Sequence, residues 1–460
     1  MIGSWSLAEV AQVIGADTIS ESGVIAGVST DTRNLGDGDL FVALRGEHFD
    51  GHNFIGQASD AGAVAAVVDT VDSRVGLPQL KVKDTLAGLS AFAAANRDRS
   101  RAEFVAVTGS SGKTTVKEML AAILGEEAPT LATQGNLNNH IGVPLTLLRI
   151  AQEHRYAVVE HGASGVGEIA QTIALTRPDV AIITNAAEAH LEGFGSYDNI
   201  VIAKGEIIDG VNSQGVVVLN QDDPAFPAWR KRAGDRRVVS VSARPGSGAT
   251  YELASLELLP SGQRLTVIGP EGWRCELVLP LPGEHNALNA MLAIAAVRAL
   301  RLADNAITRG LEGMKPVKGR LSQAEIATGL TLIDDSYNAN PSSMKAALKV
   351  LAGRSGKRIA VLGAMAELGS DSDRLHQEVG EAAAKLGIEQ LVVVGGGCEG
   401  YRTGFGTSAV ACADHDTAVT YLMQQHNGPM TVLVKGSRSS AMERVAEGLK
   451  EKVTNSCCSG

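Results

Sequence analysis

Phe104-Val-Ala-Val-Thr-Gly-Ser-Ser-Gly-Lys-Thr-Thr115 is the stretch on which the reading of this chain turns. The apolar run Phe104 to Val107 predicts a buried strand bounded by turn residues. Gly109, Ser110, Ser111 and Gly112 make a tight loop, and Lys113-Thr114-Thr115 opens a helix expected to run to about Leu124. Strand, glycine loop, Lys-Thr and helix together make a cradle for nucleotide phosphates. The glycines let backbone N–H groups approach phosphate oxygens, and the helix N-terminus adds the positive end of its dipole. In such a loop Lys113 reaches the outer phosphates and the Thr114 hydroxyl sits on Mg²⁺. The usual loop has a further glycine five residues before the second one. Here Val107 holds that position, so the loop is the shorter GxxGKT form. The alternative is a plain glycine turn with an exposed lysine, and the flanking strand and helix weigh against it.

On either side of this loop the sequence supplies a sheet and its ligand edge. A helix from Asp84 to Asn96 leads in. Gln134-Gly-Asn-Leu-Asn-Asn-His-Ile-Gly-Val-Pro144 is an asparagine-rich loop ahead of an apolar helix, and it contains Asn136, Asn138 and Asn139. Tyr156 to Glu160 and Val180 to Thr184 read as strands, the second followed by Asn185-Ala-Ala-Glu-Ala-His190. Glu160 and His190 then fall at the carboxyl edge of the sheet beside the glycine loop, where open α/β sheets bind ligands. A helix carrying Lys204 and Glu206 precedes the strand Gly215 to Leu219. From Arg237 to Leu279 apolar residues alternate between Pro and Gly breaks, which predicts antiparallel strands. Gly283-Glu-His-Asn-Ala-Leu-Asn289 opens a long helix whose Leu288, Met291, Leu292 and Ala295 are expected to share one face. The plainer role for Asn286 and Asn289 there is N-terminal capping.

The two flanking regions differ in character. Residues 1–83 read as a small α/β domain: Ser6-Leu-Ala-Glu9 is a capping box, and apolar strands are expected within Gly38–Arg45 and Ala63–Val68. Ser29-Thr-Asp-Thr-Arg33 and Asp50-Gly-His52, taken alone, are ordinary turn chemistry. The turn Lys315-Pro-Val-Lys-Gly-Arg320 marks a joint between domains. Beyond it the expected strands Leu330–Ile333, Arg358–Leu362, Gln390–Val394 and Thr431–Val434 alternate with helices, as in a doubly wound parallel sheet. Two of these strands run into polar turns, Asp334-Asp-Ser-Tyr-Asn-Ala-Asn-Pro341 and Lys435-Gly-Ser-Arg438. The tail from Lys452 reads as disordered, with no function for Cys457 or Cys458.

Composition narrows the function further. The 460 residues are 44% apolar and 20% charged, and no apolar run is long enough to span a bilayer. A net charge of −10 and the lack of a basic tract argue against nucleic acid as a partner. Five cysteines (Cys275, Cys398, Cys412, Cys457, Cys458) show no metal-ligand spacing. Met1 to Val10 has neither a basic n-region nor an apolar h-region, so the chain is expected to be cytoplasmic and to lack a signal peptide.

Taken as a set, TGSSGKTT (108–115), VVEHGAS (158–164), TNAAEAH (184–190), AKGE (203–206), GEHNALNA (283–290), KGR (318–320) and DDSYNANP (334–341) resemble the Mur ligase family over essentially the whole chain. The stretches DDSYNANPSSM, GNLNNHIGVPLTLL and LVKGSRSSAME are similar to those of members that add D-alanyl-D-alanine to a UDP-N-acetylmuramoyl-tripeptide. That resemblance implies three domains. Residues 1–83 would bind the uridine diphosphate end of the acceptor. Residues 84–314 would form the ATPase domain, a mostly parallel P-loop sheet with added antiparallel strands. Residues 315–460 would form a Rossmann-like domain that binds the amine. It also implies the chemistry: ATP phosphorylates the tripeptide carboxylate to an acyl phosphate, which the dipeptide amine attacks.

Residue by residue, the family's ATP lysine matches Lys113 within the loop Gly109 to Thr115. Its magnesium residues match Thr114, Glu160 and His190, and its carbamylated lysine matches Lys204. The asparagines on the adenine and ribose side match Asn286 and Asn289. Its phosphate-reaching arginine matches Arg320, and its third-domain aspartate matches Asp335, with Asp334 beside it. The uridine stretch matches Ser29, Thr30, Asp31 and Arg33, with Asp50 and His52 nearby. Asn136, Asn138 and Asn139 are expected to bind substrate, and Asn338, Asn340, Lys435 and Arg438 to bind it on the amine side. The chain departs from the family's habit at His161, often a methionine, and at Gly363-Ala-Met-Ala-Glu-Leu-Gly369, often GDMLELG. A monomer using ATP and Mg²⁺ is expected. A small-molecule kinase and a nucleotide switch are rivals of other classes. The ligases that add the third peptide residue carry an Asp-Asn-Pro-Arg tetrapeptide that does not occur here, and the folate-polyglutamylating relatives lack the uridine domain.

Overall fold

The computed structural model describes every residue except 18–21, 189–190, 260–261, 316 and 458–460. Three main sheets, each covered by helices, give a three-domain α/β fold. At the N-terminus the expected capping box forms: Ser6 Oγ accepts from the Glu9 amide, and Glu9 Oε2 accepts from the Ser6 amide at 2.8 Å. The strands Val28–Ser29, Leu40–Val42, Ala65–Val68 and Gln79–Lys81 pair in that order, all parallel. Leu40 to Val42 and Ala65 to Val68 are buried on both faces, as helix-covered parallel strands require. Asp84 caps the next helix, Thr85–Arg99, by accepting from the Leu86 and Ala87 amides.

The phosphate-loop strand, Glu103–Thr108, lies inside the central sheet between Val180–Ile183 and Tyr156–Glu160, parallel to both. Thr130–Ala132 closes one side. The other continues through Val216–Asn220 and Arg237–Ser242 to the strands Tyr251–Leu259, Gly262–Ile268 and Arg274–Leu279. Only these last three pair antiparallel. Arg237–Ser242 was expected to be antiparallel and is not. It runs parallel to Val216–Asn220, because the helix Phe226–Ala233 carries the chain back across the sheet, and it meets Tyr251 and Glu252 in parallel register too. The helix Glu284–Ala299 also differs from expectation. Its burial runs all the way round, from Asn286 and Ala287 to Val297, because it is packed between the sheet and its neighbours, whereas Leu288 is only partly buried.

The third sheet is doubly wound. Its order is Ser322–Ala327, Leu330–Asp335, Met430–Lys435, Lys357–Leu362, Gln390–Val394 and Val410–Cys412, with only the first pair antiparallel. Separate apolar clusters fill its two faces. The tail corrects another expectation: a helix spans Glu443–Cys457, because Val445, Leu449 and Val453, four residues apart, are buried against the sheet. Cys458 and the last two residues lie outside the described residues. In the central and third sheets the carboxyl ends of the strands open on a shared cleft of about 790 Å³.

Candidate active site

Two glycines of the phosphate loop have backbones that other residues could not adopt here. Gly109 has φ 149°, and a Cβ there would come within 1.9 Å of Thr184 Oγ1. Gly112 has φ 82°, and its Cβ would meet Asn289 Oδ1 at 2.7 Å. The loop is latched to the segment after the neighbouring strand. Asn185 Oδ1 accepts from the Ser111 amide at 2.9 Å, Thr184 Oγ1 donates to Ser111 O at 2.6 Å, and Ser110 Oγ donates to Ala187 O. Asn185 was not among the expected site residues; its role depends on a pairing across 74 residues.

Lys113 extends over the loop and donates from Nζ to Gly109 O at 2.6 Å. Burial lowers its pKa and Arg320 lowers it further, while Glu160 opposes both. Thr114 Oγ1 donates to Glu160 Oε2 at 3.0 Å, and the other oxygen of Glu160 accepts from Asn138 Nδ2 at 2.8 Å. From the turn ahead of the third sheet, Arg320 Nη2 donates to Thr114 Oγ1 at 2.9 Å, and its guanidinium stacks on the Tyr337 ring at 4.2 Å. Asn340 Nδ2 reaches Ser111 Oγ at 2.9 Å. Thr115, Asn136, Asn139, Asn286 and Asn289 also line the cleft. Asn139 Oδ1 accepts from the Ile141 and Gly142 amides at the start of the following helix. Asn286 and Asn289 are buried and act as donors, Asn286 to Pro282 O and Asn289 to Asn286 Oδ1, so they are not N-caps.

The adjacent aspartates divide. Asp334 accepts from the amide and hydroxyl of Ser336 and serves the turn. Asp335 faces the cleft, bridged to Lys435 Nζ at 2.6 Å and accepting from Leu321 N. Burial raises the carboxyl's pKa while Lys435 pulls it down. Lys435 also donates to Asn338 O at 2.8 Å. Asn338 Oδ1 accepts from the Ala339 amide, and Asn340 Oδ1 accepts from the Ser343 amide as a helix cap, so both oxygens are engaged. Arg438 stands 70% exposed at the cleft rim, 3.2 Å from Glu443. His285 also lines the cleft; burial and then Lys435 bring its pKa down to about 4.

Lys204 lies behind this group, 2% exposed, with Nζ 5.0 Å above the Phe194 ring and 3.5 Å from Ala163 O. Burial and then Lys113 lower its pKa to about 7. His190 lies outside the described residues. His161 faces away from Glu160: its ring is buried between Thr172 (2.9 Å) and Thr176 (3.3 Å), with burial lowering its pKa to about 3.

A second polar cluster sits at the carboxyl edge of the N-terminal sheet and does not line this cleft. Ser29 Oγ accepts from the Asp31 amide, and the sequence between them places Thr30 on the same turn. Asp31 holds Arg33 through both carboxylate oxygens, leaving the guanidinium 85% exposed. Asp50 pairs with His52 Nδ1 at 2.7 Å and with Arg45, which also binds Asp69. Arg45 and Asp69 were missed because each reads as an isolated charge until neighbouring strands bring them together.

A glycine loop with lysine, threonine and glutamate on one sheet, met by an arginine and an Asp–Lys pair from another, defines a nucleotide-dependent α/β enzyme assembled across domains. Family profiles match in the same places: the Mur ligase family, catalytic domain over residues 24–97, the Mur ligase middle domain over 107–297, and the Mur ligase, glutamate ligase domain over 319–438. The UDP-N-acetylmuramoyl-tripeptide–D-alanyl-D-alanine ligase of Escherichia coli (strain K12) is 43% identical over 453 residues, covering 98% of this chain and 99% of its own length. A crystal structure of MurF from Acinetobacter baumannii superposes with a TM-score of 0.91 at 37% identity, over 98% of this chain and 99% of that one. The MurF ligase of Thermotoga maritima, solved in complex with ADP, gives 0.84 at 27% identity, over 93% and 98%. This chain belongs to the Mur ligase family.

Proposed function

We propose that this protein joins D-alanyl-D-alanine to a UDP-N-acetylmuramoyl-tripeptide at the expense of ATP. The observation that carries this reading is the meeting of Lys113, Thr114 and Glu160 with Arg320 and the Asp335–Lys435 pair in one cleft. The near full-length identity to a ligase of that name supports it. In this reading residues 1–83 hold the uridine diphosphate end, with Arg33 offering a guanidinium suited to bidentate recognition. Residues 84–314 hold ATP, and residues 315–460 hold the amine.

A carboxylate is a poor electrophile, so it is first activated by transfer of the terminal phosphoryl group. Lys113, Arg320 and the loop amides stabilise the charge that develops on that group, which is positioning and electrostatics rather than covalent chemistry. The amine then attacks the acyl phosphate and phosphate leaves. The oxygen set of Thr114 and Glu160 suits Mg²⁺, a hard cation, and His190 and a carbamylated Lys204 would complement it. When bound, the ion would neutralise phosphate charge. Lys204 fits modification: an enclosed amine with a pKa of about 7 is substantially uncharged near neutrality, the form that adds CO₂. A monomeric enzyme is proposed. No described helix is long and apolar enough to cross a membrane, and the soluble nucleotide substrates suit a cytoplasmic enzyme.

The test is phosphate release measured with and without each substrate. Release that requires both the tripeptide acceptor and the dipeptide supports the ligase. Stable phosphorylation without an amine would indicate a kinase, and slow release with neither substrate a nucleotide switch.

A further inference from the structure

Lys117 lies one helical turn beyond Lys113 and is 2% exposed. Its neighbours Val116, Met119 and Leu120 are buried and apolar, so a methionine would fill the space. A buried ammonium is costly unless it is bonded and paired, so the charge itself needs a reason. Nζ donates to Thr133 O at 2.8 Å and pairs with Glu118 at 2.7 Å. Thr133 directly follows the strand Thr130–Ala132 and leads into the loop 134–139. Its amide donates to Val158 O at 3.0 Å, and its hydroxyl accepts from the Glu160 amide at 3.0 Å. A few residues on, Asn138 holds the Glu160 carboxylate with its side chain and accepts from Gly162 N with its carbonyl.

We propose that Lys117 is a positioning residue for the acceptor side of the reaction, pinning the phosphate-binding helix to the strand end that carries both the asparagine loop and the backbone support of Glu160. The inference rests on the ligase reading above. Lys117 touches Thr133 and Glu118, and it acts on the acceptor loop and Glu160 through Thr133.

The experiment compares the full-length protein with Lys117→Met and Lys117→Arg. Steady-state phosphate release is measured against ATP and against acceptor, with acceptor affinity by calorimetry and the thermal midpoint alongside. Lys117→Met is expected to lose about ten- to a hundredfold in kcat/KM for the acceptor. The thermal midpoint should change little, acceptor affinity should fall in parallel and by more than ATP affinity, and Lys117→Arg should recover part of the loss. Parental kinetics in Lys117→Met overturn the proposal, as does a uniform loss of ATP affinity, acceptor affinity and stability that arginine does not relieve. If Lys117→Met does not fold, the same split is read in Lys117→Arg: a loss confined to the acceptor supports the proposal and a uniform one overturns it. Failure of the ligase reading itself shows separately, as absence of acceptor-dependent release in the parent.

Discussion

The guanidinium of Arg320 donates to the hydroxyl of Thr114 across 206 residues of sequence. Thr114 in turn donates to Glu160, so a cation from the turn ahead of the third sheet, the glycine loop and a strand-end carboxylate form one continuous hydrogen-bonded line. The stacking of Arg320 on Tyr337 fixes the plane of the guanidinium in that line.

Arg320→Ala should therefore lower kcat by about a hundredfold or more, the scale of losing one preorganised charge donor. Arg320→Lys should restore little, because an ammonium has neither the fork nor the stacking plane. Quench-flow measurement of the first turnover separates this from slow product release. Parental rates in Arg320→Lys would show that a point charge suffices.

Gly109→Ala tests the loop. At φ 149°, with Thr184 Oγ1 1.9 Å from the added carbon, the backbone must shift away from its bonds to Asn185 and Thr184. Overpacking of this kind costs about 1–3 kcal/mol. ADP binding by calorimetry should weaken while acceptor binding holds. Adding Thr184→Ala removes the Oγ1 clash but leaves Cβ at 3.1 Å, the Asn185 amide at 3.2 Å and the torsional strain, so rescue should be partial. Full rescue would assign the whole effect to the clash.

The parts of this site that could be read from sequence are local ones. Loop glycines, Lys113 and Thr114 sit within seven residues, and the strand ends at Glu160 and Asp335 follow from apolar runs that stop at a carboxylate. Asn185, His285, Arg45 and Lys117 carry no local signal, because their partners lie on other elements. Alternation misled at Arg237–Ser242, since a period of two reports exposure and not strand direction. The division of labour between Asp334 and Asp335 also needed the structure: successive residues of a strand point to opposite faces, and pairing decides which face meets the cleft.

His161 shows how a departure from the family habit is accommodated. Its pKa is lowered from 6.5 to about 3 by burial, so the folded chain keeps the ring neutral while the unfolded chain protonates it below about pH 6.5. The contribution is thus fully present above 6.5 and is lost as pH falls toward 3, at about 1.4 kcal/mol per pH unit. His161→Met should retain ligase activity and lose less stability between pH 6.5 and 5, by about 2 kcal/mol. Urea unfolding at several pH values provides the comparison. Equal slopes in parent and variant would mean that the ring reaches solvent in the folded chain.

The amine end turns on which cation is available. Lys435 is committed: 3% exposed, it bridges Asp335 at 2.6 Å and donates to Asn338 O. Removing it in Lys435→Met leaves the buried Asp335 carboxylate without its ion-pair partner, a loss of up to about 3–5 kcal/mol, so the thermal midpoint should fall together with kcat. Arg438 is 70% exposed at the rim of the same cleft, paired with Glu443 at 3.2 Å, and an arginine so exposed is free to turn toward the carboxylate of an incoming dipeptide. Arg438→Ala should therefore raise the KM for D-alanyl-D-alanine about tenfold, the loss of one charge-assisted hydrogen bond, with the KM for ATP and the midpoint unchanged. Against D-alanine alone the parent should be slow, because a single residue cannot place its amine at the acyl phosphate and its carboxylate at Arg438 together. If Arg438→Ala binds the dipeptide as the parent does, its carboxylate is held elsewhere. If a single amino acid is preferred, the amine substrate is misassigned, and the roles proposed for Lys113 and Arg320 are left to their own tests.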